Sequence, residues 1–554
     1  MKKVQGCLLC VASLLLLVLV FCFDASKRNY AKDYRVNGKA IEYVEQIMGM
    51  AVVEDTSFLN HLEKRKMEEN AQIFFENTII PYEASTNILY VAQNNTQLEW
   101  EGELTSGKDT FLCTRKDEYW DRKADAIKEN HEFPVWLLTE DGYYELSMVV
   151  TSLPVISMTT ERIEEAEDIP YEMDPDKKFY GSETQHYGQI RVFNPGVGTT
   201  HYEITESNVR YHEKGISSSV YPKDGYSLSL LDDKEDNLNI SLLGMRSDNS
   251  WKLNALMSDP TKVREKTAAQ IWEQIDLANE TINEAGPRME YVEVILDNEY
   301  LGVYCLVEPV DEKKLELDAN DVLYKIIDWG APSDEGIQLS IANKWRISLP
   351  ARIRYPKVIA DYEAAWYPLR DYLNVFYRDY WYYGGNRGQI DLGNACDMVI
   401  FMMACSASDN SFKNLYLAAD VTPTGEYRMR HIPWDLDLTF GNTHDPEAVN
   451  GVRFNDDITV RYWDAPISTM IHYEIEGIEA ELLNRWTDYR KTILSTDNIL
   501  QIMQANRDEL VNSGVYIREK QRWPEYGANS DISELTKYQM ERMIWLDEYF
   551  QDIK

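Results

Sequence analysis

The chain has 554 residues, and its 56 Lys and Arg residues against 93 Asp and Glu residues give a net charge of −37 at pH 7. A surface this acidic repels phosphate backbones, which excludes a general nucleic-acid-binding role. Global disorder is excluded as well, because 44% of the residues are hydrophobic and 12% are aromatic. The charge itself has two interpretations: a solubilising surface, or attraction for a basic partner.

An apolar segment follows Lys2 and Lys3 near the start of the chain. Residues 6–23 read GCLLCVASLLLLVLVFCF, a length at the lower limit for a membrane-spanning helix and above that of an ordinary signal-peptide core. Residues 1–23 are therefore predicted to be an uncleaved membrane anchor, with a cleaved signal peptide as the alternative. Basic residues after the segment leave its orientation open. An extracytoplasmic body, membrane-anchored or secreted, is favoured.

The remaining chain is predicted to contain three regions. Residues 24–72 are polar and charged and are predicted to form a helical stalk or accessory segment. Residues 73–150 contain short alternating stretches separated by turns such as Asp141-Gly142, which predicts a small β-rich domain. Strands and helices alternate over residues 151–554, and the pattern after residue 467 is helical. The predicted fold class is α+β.

The seven cysteines do not indicate a zinc site or a dense disulfide framework. Three lie in the apolar segment, and Cys113, Cys305, Cys396 and Cys405 are scattered without a C-x-x-C pair. Most of these four are expected to be buried as small hydrophobic residues.

Acidic residues follow strand and helix ends in one region of the chain. A predicted helix over residues 391–406 leads into a loop that contains Asp409. A predicted hairpin over residues 413–432 leads into a second loop with Asp435 and Asp437. Loops at the ends of paired strands are where sites are usually built.

The spacing of Asp409 and Asn414 is informative. They form D-x-x-x-x-N, by which protein kinases place a catalytic Asp and a metal-binding Asn, with another Asp on a following loop. Such oxygen ligands suit Mg²⁺, and few are needed because nucleotide phosphates supply the rest. The pattern alone is common by chance. The structural alternative is a loop cap at Asp409 and a turn at Asp435-x-Asp437, with or without Ca²⁺.

Several motifs occur in a fixed order along the C-terminal part of the chain. They are Gly244-Met245, residues 251–262 (WKLNALMSDPTK), residues 299–308 (EYLGVYCLVE) with Val310-Asp311, residues 409–417 (DNSFKNLYL), residues 431–441 (HIPWDLDLTFG), Arg522-Trp523-Pro524 and residues 542–546 (RMIWL). With these motifs, the chain resembles the CotH kinase family, the bacterial spore-coat protein H group, between Leu153 and Asp552.

The resemblance implies an atypical, secreted or surface Ser/Thr protein kinase that uses ATP and Mg²⁺, with Mn²⁺ as an alternative. It implies a two-lobed, protein-kinase-like fold with a helical C-terminal region, and a spore-coat location is one option. Asp409 would be the catalytic residue, and Asn414, Asp435 and Asp437 would be metal ligands. The acidic body would attract a protein substrate rich in Lys, Arg and Ser.

Two further positions match the family. Glu308 matches an acidic position that, in the family, follows a hairpin on the nucleotide side of the site. The resemblance implies that it would pair with a nucleotide-binding lysine. Arg264 matches a basic position after the Asp-Pro-Thr segment, although Glu265 replaces the usual Asn. For both Glu308 and Arg264 the alternative is a structural salt bridge.

One strand departs from the family pattern. The family has a basic strand after a glycine–serine turn, but residues 224–229 here read DGYSLS and lose three cations. Those cations would neutralise ATP phosphates, and Lys223 or Lys325 is the predicted substitute, because a lysine acts as a flexible point charge. If neither substitutes, the protein is predicted to be a catalytically weak or inactive scaffold in envelope or spore-coat assembly. Carbohydrate binding by Trp and Tyr residues within 366–383 is a third hypothesis, and core packing explains most of these aromatics.

Overall fold

The computed structural model describes residues 35–36, 38–66, 72–107, 109–140, 142–165, 184–196, 202–214, 221–279, 286–326, 337–341, 345–349, 351–359, 361–376, 390–411, 413–422, 424–442, 452–461 and 477–552. The predicted apolar anchor lies outside these residues. Within them, no helix has the length and apolar character needed to span a bilayer.

The fold is mixed α+β, as the sequence predicted. The strands are β1 (Arg35–Val36), β2 (Lys39–Ala40), β3 (Glu45–Ile47), β4 (Met50–Val53), β5 (Glu63–Arg65), β6 (Ile73–Phe75), β7 (Thr78–Ile79), β8 (Tyr82–Glu83), β9 (Ile88–Ala92), β10 (Leu104–Ser106), β11 (Phe111–Arg115), β12 (Glu132–Leu138), β13 (Gly142–Thr151), β14 (Val155–Glu164), β15 (Gln185–Asn194), β16 (Glu203–Lys214), β17 (Gly225–Leu231), β18 (Ile240–Ser241), β19 (Ser247–Asp248), β20 (Ser250–Asn254), β21 (Met289–Leu296), β22 (Glu299–Val307), β23 (Val322–Ile326), β24 (Ile337–Ile341), β25 (Trp345–Leu349), β26 (Ala351–Tyr355), β27 (Leu415–Val421) and β28 (Tyr427–Pro433).

The α-helices are α1 (Lys123–Lys128), α2 (Arg264–Leu277), α3 (Tyr362–Phe376), α4 (Leu392–Cys405), α5 (Ile458–Arg461), α6 (Ile478–Tyr489), α7 (Thr496–Asn512), α8 (Val515–Arg522) and α9 (Ser533–Asp552). Short 3-10 helices occur at Ser57–His61, Glu118–Asp121, Ser408–Asn410 and Pro524–Tyr526. The predicted helix over residues 391–406 and the predicted hairpin over residues 413–432 are therefore confirmed, with small differences at their ends.

The chain divides into two compact units. The first comprises Met1–Ile80, Trp100–Trp120 and Glu132–Met148, and the second comprises the rest of the chain. In the first unit, strands β3, β4, β11, β12 and β13 follow one another in a sheet, and β5 pairs with β13. The domain boundaries predicted after residues 23, 72 and 150 stay predictions.

The helical prediction for residues 24–72 is wrong for the part of this segment that the structure describes. Strands β1 to β5 and the 3-10 helix Ser57–His61 occur there instead. Strand β4 is buried along its whole length and pairs in parallel with β11. A continuous apolar run of this length is typical of a strand covered on both faces, and tertiary pairing outweighs the helical tendency of the charged residues around it.

A closed barrel dominates the N-terminal part of the second unit. Its strand order is β14-β15-β16-β17-β20-β22-β21, and β14 closes the barrel by pairing in parallel with β21. Alternate residues of each strand fill the interior, as the pleat requires. The interior includes Val209, Tyr226, Leu228, Trp251 and Leu306. On each strand, the residues that alternate with these interior positions face the outside of the barrel.

A four-stranded sheet and a set of helices form the C-terminal part of this unit. The sheet order is β26-β23-β27-β28. Helix α4 begins at Asp391, whose side chain accepts a hydrogen bond from the backbone nitrogen of Asn394, and residues 394–405 of the helix are all buried. A helix that is apolar all round belongs in a core, so α4 fixes the position of the turn that follows it.

The four cysteines outside the apolar segment are buried and unpaired, which confirms their predicted role as small core residues. Of the aromatic cluster considered for carbohydrate binding, Trp366 is buried with its ring 5.5 Å from that of Tyr324. Tyr367 is exposed, and residues 377–383 lie outside the described residues. Core packing therefore accounts for Trp366.

Candidate active site

Asp409 lies in the turn that follows helix α4. The helix ends at Cys405, Ser406 takes a left-handed backbone conformation with φ of 53°, and the 3-10 turn Ser408–Asn410 follows. Asn414 also has a positive φ, 51°, which Asn tolerates better than most residues. Its Nδ2 donates a hydrogen bond of 2.7 Å to Oδ2 of Asp409. The structure thus brings the predicted catalytic residue into contact with a predicted metal ligand.

Asp435 and Asp437 lie in the loop that leaves strand β28. Asp435 is exposed and has a φ of 62°, a strained conformation for an acidic residue in a loop. Asp437 is partly buried, and its carboxylate accepts a hydrogen bond of 2.6 Å from Oγ of Ser258. Asn442 fixes the loop further, because its Nδ2 donates to the backbone carbonyl of Asp437 at 2.9 Å.

A single side chain joins the two loops. Nδ2 of Asn410 donates to the backbone carbonyls of Asn414 at 2.8 Å and of Trp434 at 2.7 Å. The backbone nitrogen of Trp434 also donates to the carbonyl of Asn414 at 2.9 Å. This Asn410 bridge is buried, and it sets the spacing between the Asp409 turn and the Asp435 loop.

The carboxylates of the site are crowded. Burial raises the pKa of Asp437 well above its ordinary value, and the charges of Asp435 and Glu265 raise it further. Burial also raises the pKa of Glu265 to about 7, and the charge of Asp435 adds to the effect. A bound cation would favour the ionised carboxylates and relieve this repulsion.

The donor chemistry suits a cation that is shared with a nucleotide. Within the described residues, no group of three or more His, Cys, Asp or Glu side chains is arranged to hold a metal ion by itself. The oxygens of Asn414, Asp435 and Asp437 are nevertheless the hard donors that Mg²⁺ prefers, and Mg²⁺ bound to substrate phosphates needs only one or two protein carboxylates. The residues present therefore fit a nucleotide-bound Mg²⁺.

Stability is expected to fall as the pH rises through the range in which Glu265 ionises. Its pKa in the folded protein, about 7, lies above the ordinary 4.5, so folding favours the protonated form. This stabilisation is fully present below pH 4.5, the pKa of Glu265 in the unfolded chain, and it is lost as the pH rises through the pKa of the folded protein. The free energy of unfolding then falls by ~3 kcal/mol in total. Glu265→Gln is expected to flatten the profile in urea unfolding without divalent cations. An unchanged slope in the variant would contradict the assignment.

Lys214 is a site residue that the sequence analysis missed. Its Nζ donates to Oδ1 of Asn254, whose Nδ2 in turn donates to Glu265. Its cross-strand partner is Gly225, where a Cβ would lie 3.1 Å from Cε of Lys214. Burial lowers the pKa of Lys214, and the charges of Asp435 and Glu265 oppose this effect. Lys214 therefore faces the acidic cluster formed by Asp435, Asp437 and Glu265. The pairing of β16 with β17, which sets Lys214 opposite Gly225, was the signal that could have identified this lysine.

Lys325, one of the two predicted substitutes, also lies near this site. It is on β23, directly across from Tyr416 on β27. Its Nζ is 5.6 Å from the ring centroid of Tyr416 and 5.4 Å from that of Trp434. Its charge contributes to the lowered pKa of Lys214, so the two ammonium groups approach the site together.

Lys223, the other predicted substitute, is committed to a buried ion pair. Its Nζ donates to Glu519 at 2.8 Å and to the carbonyl of Val303 at 2.6 Å. It also lies 4.5 Å from the ring centroid of Tyr304. Only 2% of Lys223 is exposed, so its ammonium group does not reach the acidic cluster.

Arg264 and Glu308 each form a structural salt bridge, which was the alternative to a role in nucleotide binding. Arg264, at the first turn of α2, pairs with Asp259. Glu308 accepts from Nζ of Lys314 at 2.7 Å and from the backbone nitrogen of Arg246 at 2.8 Å. Both carboxylate oxygens of Glu308 are thus used, one by the backbone of Arg246 and one by Lys314.

The described residues define an α+β protein whose second unit brings carboxylates, an amide and lysines together beside a closed barrel. The family model described as CotH kinase protein matches residues 210–546, well over half of the chain, and the protein belongs to this family. The match confirms the resemblance that the motifs indicated. No curated protein matches the chain.

Proposed function

We propose that the protein is an atypical Ser/Thr protein kinase, dependent on ATP and Mg²⁺ or Mn²⁺, that acts on extracytoplasmic, cell-surface or spore-coat proteins. Family membership supports a kinase-like or spore-coat function. The observation that carries the proposal is the hydrogen bond from Lys214 to Asn254, which in turn donates to Glu265 and so brings the ammonium group to the carboxylates of the site. This lysine supplies a cation that residues 224–229 lack.

On the substrate side, Asp409 has the catalytic role. Its carboxylate orients the Ser or Thr hydroxyl of the substrate and accepts its proton as the hydroxyl oxygen attacks the γ-phosphorus of ATP, while the bond from that phosphorus to the bridging oxygen breaks and ADP leaves. Nδ2 of Asn414 at 2.7 Å and Nζ of Lys413 at 3.4 Å hold this carboxylate in place. The general base is thus positioned before a substrate arrives.

On the nucleotide side, Asn414, Asp435 and Asp437 would hold the divalent cation, which neutralises the charge of the ATP phosphates. Lys214 and Lys325 bring further positive charge to the phosphates as flexible ammonium groups. The barrel and the helical region with its four-stranded sheet would act as the two lobes of a kinase-like fold.

The substrate class follows from charge. A protein with a net charge of −37 attracts Lys- and Arg-rich segments and steers them by complementary potential. We expect a substrate protein rich in Lys, Arg and Ser. Residues 1–23 would place the protein at a membrane, and nucleic acid is not an expected partner.

The alternative function is a catalytically weak or inactive scaffold in envelope or spore-coat assembly. Asp224 favours it, because it stands where the family has a cation beside the phosphates. The ion pair of Lys223 with Glu519 favours it too, since it removes a second cation from use. The two functions make different predictions for nucleotide binding.

Phosphotransfer from labelled ATP tests the proposal. The wild-type protein, with Mg²⁺ or Mn²⁺, is expected to label a basic, Ser-rich protein, and Asp409→Ala is expected not to. Equal labelling by both would remove Asp409 from its role. No labelling, together with no rise in Tm on addition of nucleotide and metal, would favour the scaffold.

Lys214→Met is expected to raise the KM for ATP about 10- to 100-fold, because a hydrogen bond to a charged group contributes ~1.5–3 kcal/mol. Initial rates measured against ATP concentration give the effect. Lys491→Met is the matched control, since this exposed lysine pairs with Asp488 at the surface. An unchanged KM in Lys214→Met would show that the phosphates bind elsewhere.

A further inference from the structure

A cavity of about 400 Å³ opens at the end of the barrel where strands β14, β16 and β21 end and strands β15 and β17 begin. This volume lies within the range of small-ligand pockets, ~300–1,000 Å³, and barrel mouths are a common place for such sites. No role in the proposed phosphotransfer uses this cavity.

Aromatic rings line the inner part of the cavity. His186 stacks on Tyr211 with ring centroids 4.9 Å apart, and Tyr211 and Tyr226 form an edge-to-face pair with centroids 5.9 Å apart. The hydroxyl of Tyr211 is fixed by a hydrogen bond of 2.5 Å with Oγ1 of Thr160. The rings are therefore held in place, and the faces of such rings attract cations.

Two exposed carboxylates lie at the rim. Among the described residues, the side chains of Glu161 and Glu213 form no hydrogen bond or ion pair. Burial raises the pKa of Tyr211 and of Tyr226, and the charge of Glu213, which lines the same cavity, raises both further. The rim thus carries negative charge beside an aromatic surface.

The other charged groups around the cavity are already paired. Arg162 forms two hydrogen bonds with Glu235, of 3.0 and 3.1 Å, and its guanidinium lies 4.1 Å from the ring centroid of Tyr187. Both carboxylate oxygens of Asp297 accept hydrogen bonds from Thr160. The uncompensated charge of the cavity is therefore negative, which disfavours an anionic ligand.

We infer that this cavity binds the guanidinium or ammonium group of a basic side chain in the protein substrate. Aromatic faces and unpaired carboxylates together recognise a cation by cation–π attraction and charge-assisted hydrogen bonds. The inference rests on the proposed function, because it supplies a docking position for the Lys- or Arg-rich substrate. Glu213 and Tyr226 neighbour Lys214 and Gly225 in the chain, so docking and phosphate binding use opposite faces of one strand pair.

Peptide binding to the full chain, without nucleotide, tests the inference separately from phosphotransfer. The probe is a fluorescent peptide of Gly, Ser and Arg, measured by anisotropy against the same peptide with neutral citrulline in place of Arg. The Arg peptide is expected to bind about tenfold more tightly. This preference should disappear in the double variant Glu161→Gln/Glu213→Gln, and it should persist in Glu203→Gln, an exposed carboxylate at the other end of β16.

Equal binding of the two peptides, or a preference that survives in the double variant, would overturn the inference. Displacement of the probe by a neutral oligosaccharide but not by arginine amide would overturn it as well and would assign the cavity to sugars. Asp409→Ala should bind the Arg peptide as the wild type does, because docking does not need catalysis. A loss of phosphotransfer with intact binding would therefore count against the proposed function and not against the docking site.

Discussion

Asp409→Asn is expected to lower kcat for phosphotransfer about 10³-fold, the usual contribution of a positioned general base. The amide oxygen still accepts the hydrogen bond that Asn414 donates at 2.7 Å, so the turn keeps its shape. The amide cannot accept the proton of the substrate hydroxyl. Steady-state labelling of a Ser-rich substrate, at saturating ATP and Mg²⁺, measures the change.

Nucleotide binding separates chemistry from structure in this variant. The rise in Tm caused by ATP and Mg²⁺ should persist in Asp409→Asn, because Asn414 and Asp435 are unchanged. Asp488→Asn is the control, since the Asp488 carboxylate is exposed and pairs only with a surface lysine in the described part of the chain. A variant that keeps more than about a tenth of the wild-type kcat would exclude Asp409 as the general base.

Lys223→Met is expected to destabilise the protein by ~3–5 kcal/mol, the usual cost of removing one partner from a buried ion pair. Glu519 is 1% exposed, and the partners its carboxylate would keep among the described residues are the backbone nitrogen of Val303 at 2.9 Å and Lys262 at 3.6 Å. The midpoint of urea unfolding should fall while the slope stays constant. The KM for ATP, measured well below the transition, should not change.

A double variant tests the role of the charges that remain. Lys223→Met/Glu519→Leu removes both charges but leaves the buried ammonium group of Lys262 without the carboxylate at 3.6 Å, so it is expected to be less stable than Lys223→Met alone. If Lys223→Met instead raises the KM for ATP without a loss of stability, the lysine belongs to the nucleotide site, as the sequence first suggested.

The features that depend on neighbours in the chain could be predicted from the sequence. Asp391 marks the start of α4, the turn at Asp297-Asn298 joins β21 to β22, and the spacing from Asp409 to Asn414 places both side chains on one short turn. Each of these is decided within a few residues. Local patterns therefore located the loops of the candidate site and identified the family.

The features that depend on strand register could not be predicted in this way. Lys214 and Lys223 flank the same Gly- and Ser-containing segment and look equivalent in the sequence. Lys214 is opposite Gly225 in the ladder and projects from the barrel, whereas Lys223 lies just before β17 and meets Glu519 from α8. Glu519 is 296 residues further along the chain, so no local pattern shows which lysine it neutralises.

The Asn410 bridge limits how the site can respond to a ligand. Since one amide nitrogen holds the carbonyls of Asn414 and Trp434 at 2.8 and 2.7 Å, the two acid-bearing loops behave as one rigid body. A nucleotide that binds there would lose little affinity to loop ordering, and most of the entropy lost would come from the side chains of Lys214 and Lys325. Substitutions of these two lysines would then be the main way to change nucleotide affinity. The joined loops that carry Asp409 and Asp435 would persist even in a relative that had lost kinase activity.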